Sequence, residues 1–309
     1  MSTQRILWID YAKAFSICAV VIYHTQMPYP TKGIFYALCL PFFFFCSGLF
    51  ANNNTDLSVK TFLNNIFKRR ICPYIIWSTI SIIIGSVEYY FFNHSCINLW
   101  TLLYGYIYGT SQSIIYNKAL WFLPCLCLIE CIFYFTTKIS RSTIIKVLFI
   151  LLLWSIGLVN VLINSTILPL GIGASLIVLP IYALGTYTFK HIKHLQQLSN
   201  IWLFVISLFA FCFIILIYFI NPDVKISDNH FGHIELFYLN CICCITIWIC
   251  LGTLMARFFQ NTWFSDLIGQ HTLFILGSHL LIFKIIKLAA LFIFRIPLSL
   301  FENNYLMSL

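Results

Sequence analysis

Ile6-Leu7-Trp8-Ile9-Asp10-Tyr11-Ala12-Lys13-Ala14-Phe15-Ser16-Ile17-Cys18-Ala19-Val20-Val21-Ile22-Tyr23-His24 is the first of a long series of apolar segments, and it carries an acid, a base and a histidine. At 100° per residue, Asp10, Lys13 and His24 fall at about 0°, 300° and 320°, which puts all three on one face of an α-helix. Lys13 and His24 would lie roughly 16 Å apart along the axis at 1.5 Å per residue. Ionisable groups in a membrane helix are costly and usually face a bundle interior or a water-filled cavity, so this face is a functional-site hypothesis from the outset.

The rest of the chain says what the surrounding solvent is. Hydrophobic residues make up 61% of the 309 and charged residues 9%, with a mean hydropathy of +0.92. No water-soluble domain covers its surface with so little charge. Runs of about 20 apolar residues, the length that crosses a ~30 Å hydrocarbon core, recur near 6–27, 33–51, 71–92, 119–137, 144–162, 167–189, 200–220, 234–256 and 266–283, with a further one near 285–301. The expected fold is an all-α polytopic membrane bundle of about 9–10 transmembrane helices. Segment 97–116 is too polar and aromatic for a span and reads as interfacial or re-entrant. The longest polar loops fall at 52–70, 93–118 and 221–233. With no Pro-, Gly- or Ser-rich linker, residues 1–309 read as one integral domain. No signal peptide is expected, because the first apolar run carries Asp10 and Lys13 and lacks a small-residue cleavage site. Any chemistry belongs within the bundle or at its rims.

The basic residues set the expected orientation. A cytoplasmic N-terminus gathers Arg5, Lys60, Lys68, Arg69, Arg70, Lys138, Arg141, Lys146, Lys190, Lys193 and Arg257 on one side, against Lys32, Lys118 and Lys225 on the other. Lys284, Lys287 and Arg295 stay unassigned. The positive-inside rule therefore accounts for most of the net charge of +9 without any nucleic-acid partner. The 13 cysteines lie mostly in apolar spans and lack paired CxxC spacing, so they read as small buried hydrophobes and no metal is expected. His191 and His194 alternate with Lys190 and Lys193 and read as a basic collar at a membrane edge.

Several motifs in fixed order resemble the membrane acyltransferase family 3, and within it the fucose 4-O-acetylase and related O-acetyltransferase branch. Lys13 and His24 match a basic residue, ten intervening residues and a histidine. Pro41-Phe42-Phe43-Phe44-Phe45-Cys46-Ser47-Gly48 is similar to the family's second-helix run. Lys68-Arg69-Arg70-Ile71-Cys72-Pro73-Tyr74 and Leu120-Trp121-Phe122-Leu123-Pro124 are similar to later elements, as are Asp228-Asn229-His230-Phe231-Gly232 and Ile268-Gly269-Gln270-His271-Thr272-Leu273 through His279. Two departures stand out: Lys13 occupies a position where arginine is usual, and Cys39 stands where many relatives of the branch carry a second histidine.

The resemblance implies transfer of an acyl group, commonly acetyl from acetyl-CoA, to a hydroxyl of a cell-surface polysaccharide or its lipid-linked precursor. It also implies a bacterial inner membrane. A hydroxyl needs a base, and histidine titrates near neutrality, so His24 is the expected general base, with an acetyl-histidine as its other role. Lys13 would neutralise a CoA phosphate or the developing oxyanion with Asp10 holding it, or else the two form an i,i+3 ion pair that serves the helix alone. Arg69 and Arg70 are expected CoA-phosphate ligands, since Arg offers a bidentate fork. Glu130 sits inside a span, either paired with a cation such as Lys13 or protonated as a structural donor. Trp121 either stacks on a sugar or joins the interfacial aromatic belt. Asn229, His230 and His279 complete the expected acceptor contacts. The competing reading is a transporter or flippase whose permeation path the same polar face would line, although no internal repeat of the kind common in transporters is visible.

Overall fold

The computed structural model describes residues 6–25, 27–140, 142–164, 167–259 and 262–293. Among these it is helical, with one isolated antiparallel bridge, Lys225 to His230, and no strand. In chain order the helices are α1 Leu7–Tyr23, α2 Thr31–Leu49, the single turn α3 Asn52–Thr55, α4 Val59–Ile66, α5 Cys72–Asn93, α6 Leu99–Tyr108, α7 Phe122–Ile139, α8 Thr143–Val159, α9 Ile172–Gln196, α10 Asn200–Ile220, α11 Ile234–Phe258 and α12 Thr272–Phe292. Eight helical stretches among the described residues are long and apolar enough to cross a membrane. The protein is a multi-pass, all-α membrane bundle.

The expected polar loop at 52–70 is partly helical. Ser58 accepts a hydrogen bond from the Thr61 amide and caps α4, and Phe62 and Ile66, one turn apart, are buried. Helix then continues through a π-turn, Phe67–Ile71, into α5. Segment 97–116 holds α6, ten residues or roughly 15 Å, too short to cross. The helix ends at Gly109, whose φ of 70° is a left-handed conformation that glycine adopts without strain.

The end of the chain differs from expectation. A π-turn, Phe264–Gly269, occupies the start of the expected ninth span. The helix proper begins at Thr272 and runs unbroken to Phe292, through the point where a tenth was expected to start. The Leu288-Ala289-Ala290-Leu291 stretch has no breaker to stop it. Residues 294–301 of that expected span, the expected anchors Arg5 and Arg141, and the unassigned Arg295 lie outside the described residues.

The chain forms two compact units. The first comprises residues up to Thr55, Val178–Lys225 and His230–Ile275, and so holds α1, α2, α10, α11 and most of α9. Its α2 contains Pro41, which has no N–H to give the Ala37 carbonyl and whose ring crowds that turn. Side chains of α11 replace the missing donors: Asn240 Nδ2 donates to Ala37 O at 3.2 Å, and Trp248 Nε1 and Cys244 Sγ donate to Leu38 O at 2.7 and 3.3 Å. A proline is tolerated in a membrane helix when neighbours satisfy the freed carbonyls in this way. Gly48 and Gly185 let α2 and α9 pack backbone against backbone, since a Cβ on either would collide with the other helix's main chain.

The second unit comprises Asp56–Ile177, Ile226–Asn229 and the chain from Leu276 onward. Here Phe62 stacks on Tyr134 with ring centroids 3.8 Å apart, and the Tyr134 hydroxyl donates to Leu57 O at 2.8 Å. These contacts fix α4 against α7. Fully buried Asn117 donates from Nδ2 to Ser81 Oγ at 3.1 Å and to Gly277 O at 2.8 Å, joining α5, the loop before α7 and α12.

Candidate functional site

In the first unit α1 runs unbroken from Leu7 to Tyr23 with His24 as its C-cap residue, so Asp10, Lys13 and His24 share one continuous helix. Lys13 Nζ lies 2.8 Å from Asp10 Oδ1, an i,i+3 ion pair with the Asp10 side chain 10% exposed and that of Lys13 23%. Gly269 lets the π-turn press onto the Asp10 backbone, which a Cβ would block. Aromatic contacts hold the other side of the helix: Phe15 stacks on Trp248 at 5.9 Å, Tyr11 on Phe264 at 6.4 Å, and the Tyr11 hydroxyl is 3.0 Å from Thr262 Oγ1. The acid is thus set in a packed wall, while the lysine keeps partial access.

His24 stands at the other end of α1, partly exposed. Its backbone N–H donates to Val20 O and Val21 O, closing the helix, and its ring meets Tyr23 edge-on at 4.9 Å. Tyr23 in turn contacts Tyr36, and Lys32 Nζ lies over the Tyr23 ring at 5.5 Å. Tyr23 thus links the histidine to a second tyrosine and a lysine, groups suited to a polyhydroxylated molecule. Sequence reasoning gave Tyr23 and Tyr36 no role, although Tyr23 adjoins His24 in the chain, and used Lys32 only to set the orientation. Cys39, at the position of the second histidine, is buried; its thiol donates to Tyr36 O at 3.2 Å, and its carbonyl accepts from Ser16 Oγ at 2.7 Å. It serves the α1–α2 contact. In the same unit His230 is exposed, with Nδ1 2.6 Å from Asp223 O.

In the second unit the two adjacent arginines part company. The π-turn carries both, and this helix type recurs at functional sites because its extra residue re-aims side chains. Arg69 is exposed. Arg70 turns inward and grips Glu130 of α7 through both carboxylate oxygens, donating from Nε to Oε1 and Oε2 at 3.2 and 3.0 Å and from Nη2 to Oε1 at 2.5 Å. The partner of Glu130 is therefore Arg70, and a bidentate fork is the strong form of such a pair.

The remaining expected residues of this unit occupy packed positions. Trp121 is buried with its ring edge-on to Phe122. Asn229 is buried in a left-handed conformation and donates from Nδ2 to Asn160 Oδ1 at 3.0 Å. His279 is 3% exposed and meets Phe283 edge-on.

Sequence reasoning missed one buried charge cluster in this unit. Glu88 of α5 bridges two lysines of α12, with Lys284 Nζ at 2.9 Å and Lys287 Nζ at 3.6 Å, and Lys284 also lies over the Tyr116 ring at 5.0 Å. The signal was the i,i+3 spacing of Lys284 and Lys287 in an apolar run, which places both on one helix face.

The family comparison draws these observations together. The model of the acyltransferase domain matches residues 6–302, nearly the whole chain. No curated protein and no solved structure matches it. The eight apolar spans and the match across them make this chain a member of the acyltransferase domain family, a membrane acyltransferase.

Proposed function

We propose that this acyltransferase moves an acetyl group from acetyl-CoA to a hydroxyl of a cell-surface polysaccharide or of its lipid-linked precursor, in a cell membrane with its N-terminus in the cytoplasm. The observation that carries this reading is the histidine at the end of α1, partly exposed and edge-on to Tyr23, whose ring in turn meets Tyr36 and Lys32. His24 takes the acceptor's proton as its oxygen attacks the thioester carbonyl. The C–O bond forms, the C–S bond breaks, and the proton passes to the departing CoA sulfur. Lys13, steadied by Asp10 and roughly 16 Å from His24 along α1, supplies positive charge for a CoA phosphate. Of the two arginines expected to bind CoA, exposed Arg69 fits a phosphate, whereas the Arg70 fork is occupied by Glu130. Arg70 acts instead as a positioning residue for the turn that presents Arg69.

The test is His24→Ala with the surface glycan analysed by NMR or mass spectrometry. A general base contributes about 10²–10⁴ in rate, so O-acetyl groups should vanish while the amount of glycan and of protein is unchanged. Normal acetylation in the variant would sink the assignment. Lost glycan export with acetylation intact would favour a transport role.

A further inference from the structure

Lys284, Lys138 and Lys32 each lie over a tyrosine ring, and the third differs from the other two. Lys284, over Tyr116, also pairs with Glu88, and Lys138, over Tyr134, also donates to Leu57 O. Lys32 Nζ lies 5.5 Å from the centre of the Tyr23 ring and meets neither an acid nor a carbonyl among the described residues. An ammonium carries three N–H donors, and a ring face satisfies none of them as an oxygen would. Lys32 is also half-buried, so water reaches it only in part.

The lysine does not serve its own helix. It is the second residue of α2, whose first turn has no acid. The helix dipole makes that end positive, so a cation there costs stability where an anion would add it.

The neighbours of Lys32 supply a reason. The Tyr23 ring that it covers is the ring that meets His24. At 4.9 Å and 5.5 Å from that one ring centre, the imidazole and the ammonium are at most about 10 Å apart. That separation lies within the span of a disaccharide. The surface around them is aromatic: Tyr36 contacts Tyr23, and Gly33 lets the Tyr218 ring lie against the first turn of α2, where a Cβ would strike it. Asp223, close enough to Tyr218 to act on it electrostatically, forms no ion pair with Lys32. Tyrosine faces pack on the apolar faces of sugar rings, and it falls to the lysine to read charge.

We propose that Lys32 is the charge-reading residue of the acceptor site: the acceptor glycan is anionic, and a carboxylate or phosphate within a sugar ring or two of the acetylated hydroxyl seats on this ammonium. The inference rests on His24 marking the acceptor end of the acetyl-transfer site, and it adds the chemical class of the acceptor. A compact ammonium on a flexible stem takes either anion.

The surface glycan, freed of O-acetyl groups with mild base, is offered to the full chain purified in detergent. Three forms are compared: intact, with carboxylates reduced to alcohols, and with phosphates removed by hydrofluoric acid. Binding to the immobilised glycan is read without acetyl-CoA, and kcat/KM for acetylation is read with it. Removing the anion that Lys32 holds should weaken both by about tenfold or more, as for a lost hydrogen bond to a charged group. The form that binds poorly names the anion as carboxylate or phosphate. Lys32→Met should bring the intact glycan down to the level of that form, chiefly through KM. Lys32→Arg should recover the preference, which separates lost charge from lost fold, and added salt should narrow it. Equal binding of all three forms, or no binding of any, would overturn the proposal, as would a Lys32→Met variant that still tells them apart. Preference in binding without any acetyl transfer would sink the transferase site and leave the anion site standing.

Discussion

The Asp10–Lys13 and Arg70–Glu130 ion pairs make opposite uses of the same chemistry. The first spans three residues of one helix and keeps its lysine partly accessible. The second joins positions 60 residues apart, closes a bidentate fork, and ties the π-turn to α7. A pair within one helix forms wherever that helix forms and costs little to break. A pair between helices in a water-poor interior fixes their relative placement, and either partner alone is a stranded charge. The contrast assigns stability chiefly to Arg70–Glu130 and leaves Asp10–Lys13 available to chemistry.

The sharpest way to break that contrast is Glu130→Gln, which leaves Arg70 in the fold without its carboxylate. We expect a loss of about 3–5 kcal/mol, seen as a large drop in the thermal unfolding midpoint in detergent. Combining Arg70→Met with Glu130→Leu should recover most of it, because a well-packed apolar pair is often as stable as a buried ionic one. Failure of the double variant to recover would mean that the arginine has duties beyond the pair. Glu88→Gln comes next. It leaves Lys284 and Lys287 close together without their shared acid, with an expected cost of about 2–3 kcal/mol by the same measurement. The smallest stability effect belongs to Asp10→Asn, about 0.5 kcal/mol, while O-acetylation of the surface glycan falls severalfold. A midpoint shift as large as that of Glu130→Gln would erase the distinction between the two pairs.

Local features were legible in the chain and distant ones were not. The spans follow from apolar length alone, and the polar face of α1 follows from three residues and the helical angle. The short α6 was foreshadowed by the aromatic, mixed polarity of 97–116. Glu130 was recognised as needing a partner, but nothing in linear order distinguishes Arg70 from Lys13 as its cation. Glu88 escaped notice because its lysines lie almost 200 residues away, in a stretch whose topology was unresolved. The helix over 59–66 was hidden by Lys60, Asn64 and Asn65, whose polarity reads as loop until Phe62 and Ile66 are seen to be buried together. The rescue of the Pro41 turn by Asn240, Cys244 and Trp248 was likewise invisible, since it depends on which helix lies alongside.

The π-turn at Phe67–Ile71 has a consequence for how the chain tolerates change. It behaves as a one-residue insertion absorbed inside an otherwise continuous helical rod from Val59 to Phe91, so that the segments on either side keep the phase of an uninterrupted helix. Removing a single residue there would close the turn into α-helix and leave Tyr74 and Glu88 facing as they do. The same deletion in the middle of α5 would turn every later side chain by about 100° and swing Glu88 away from its lysines. The turn is a place where the rod can lose a residue without rotating its far end.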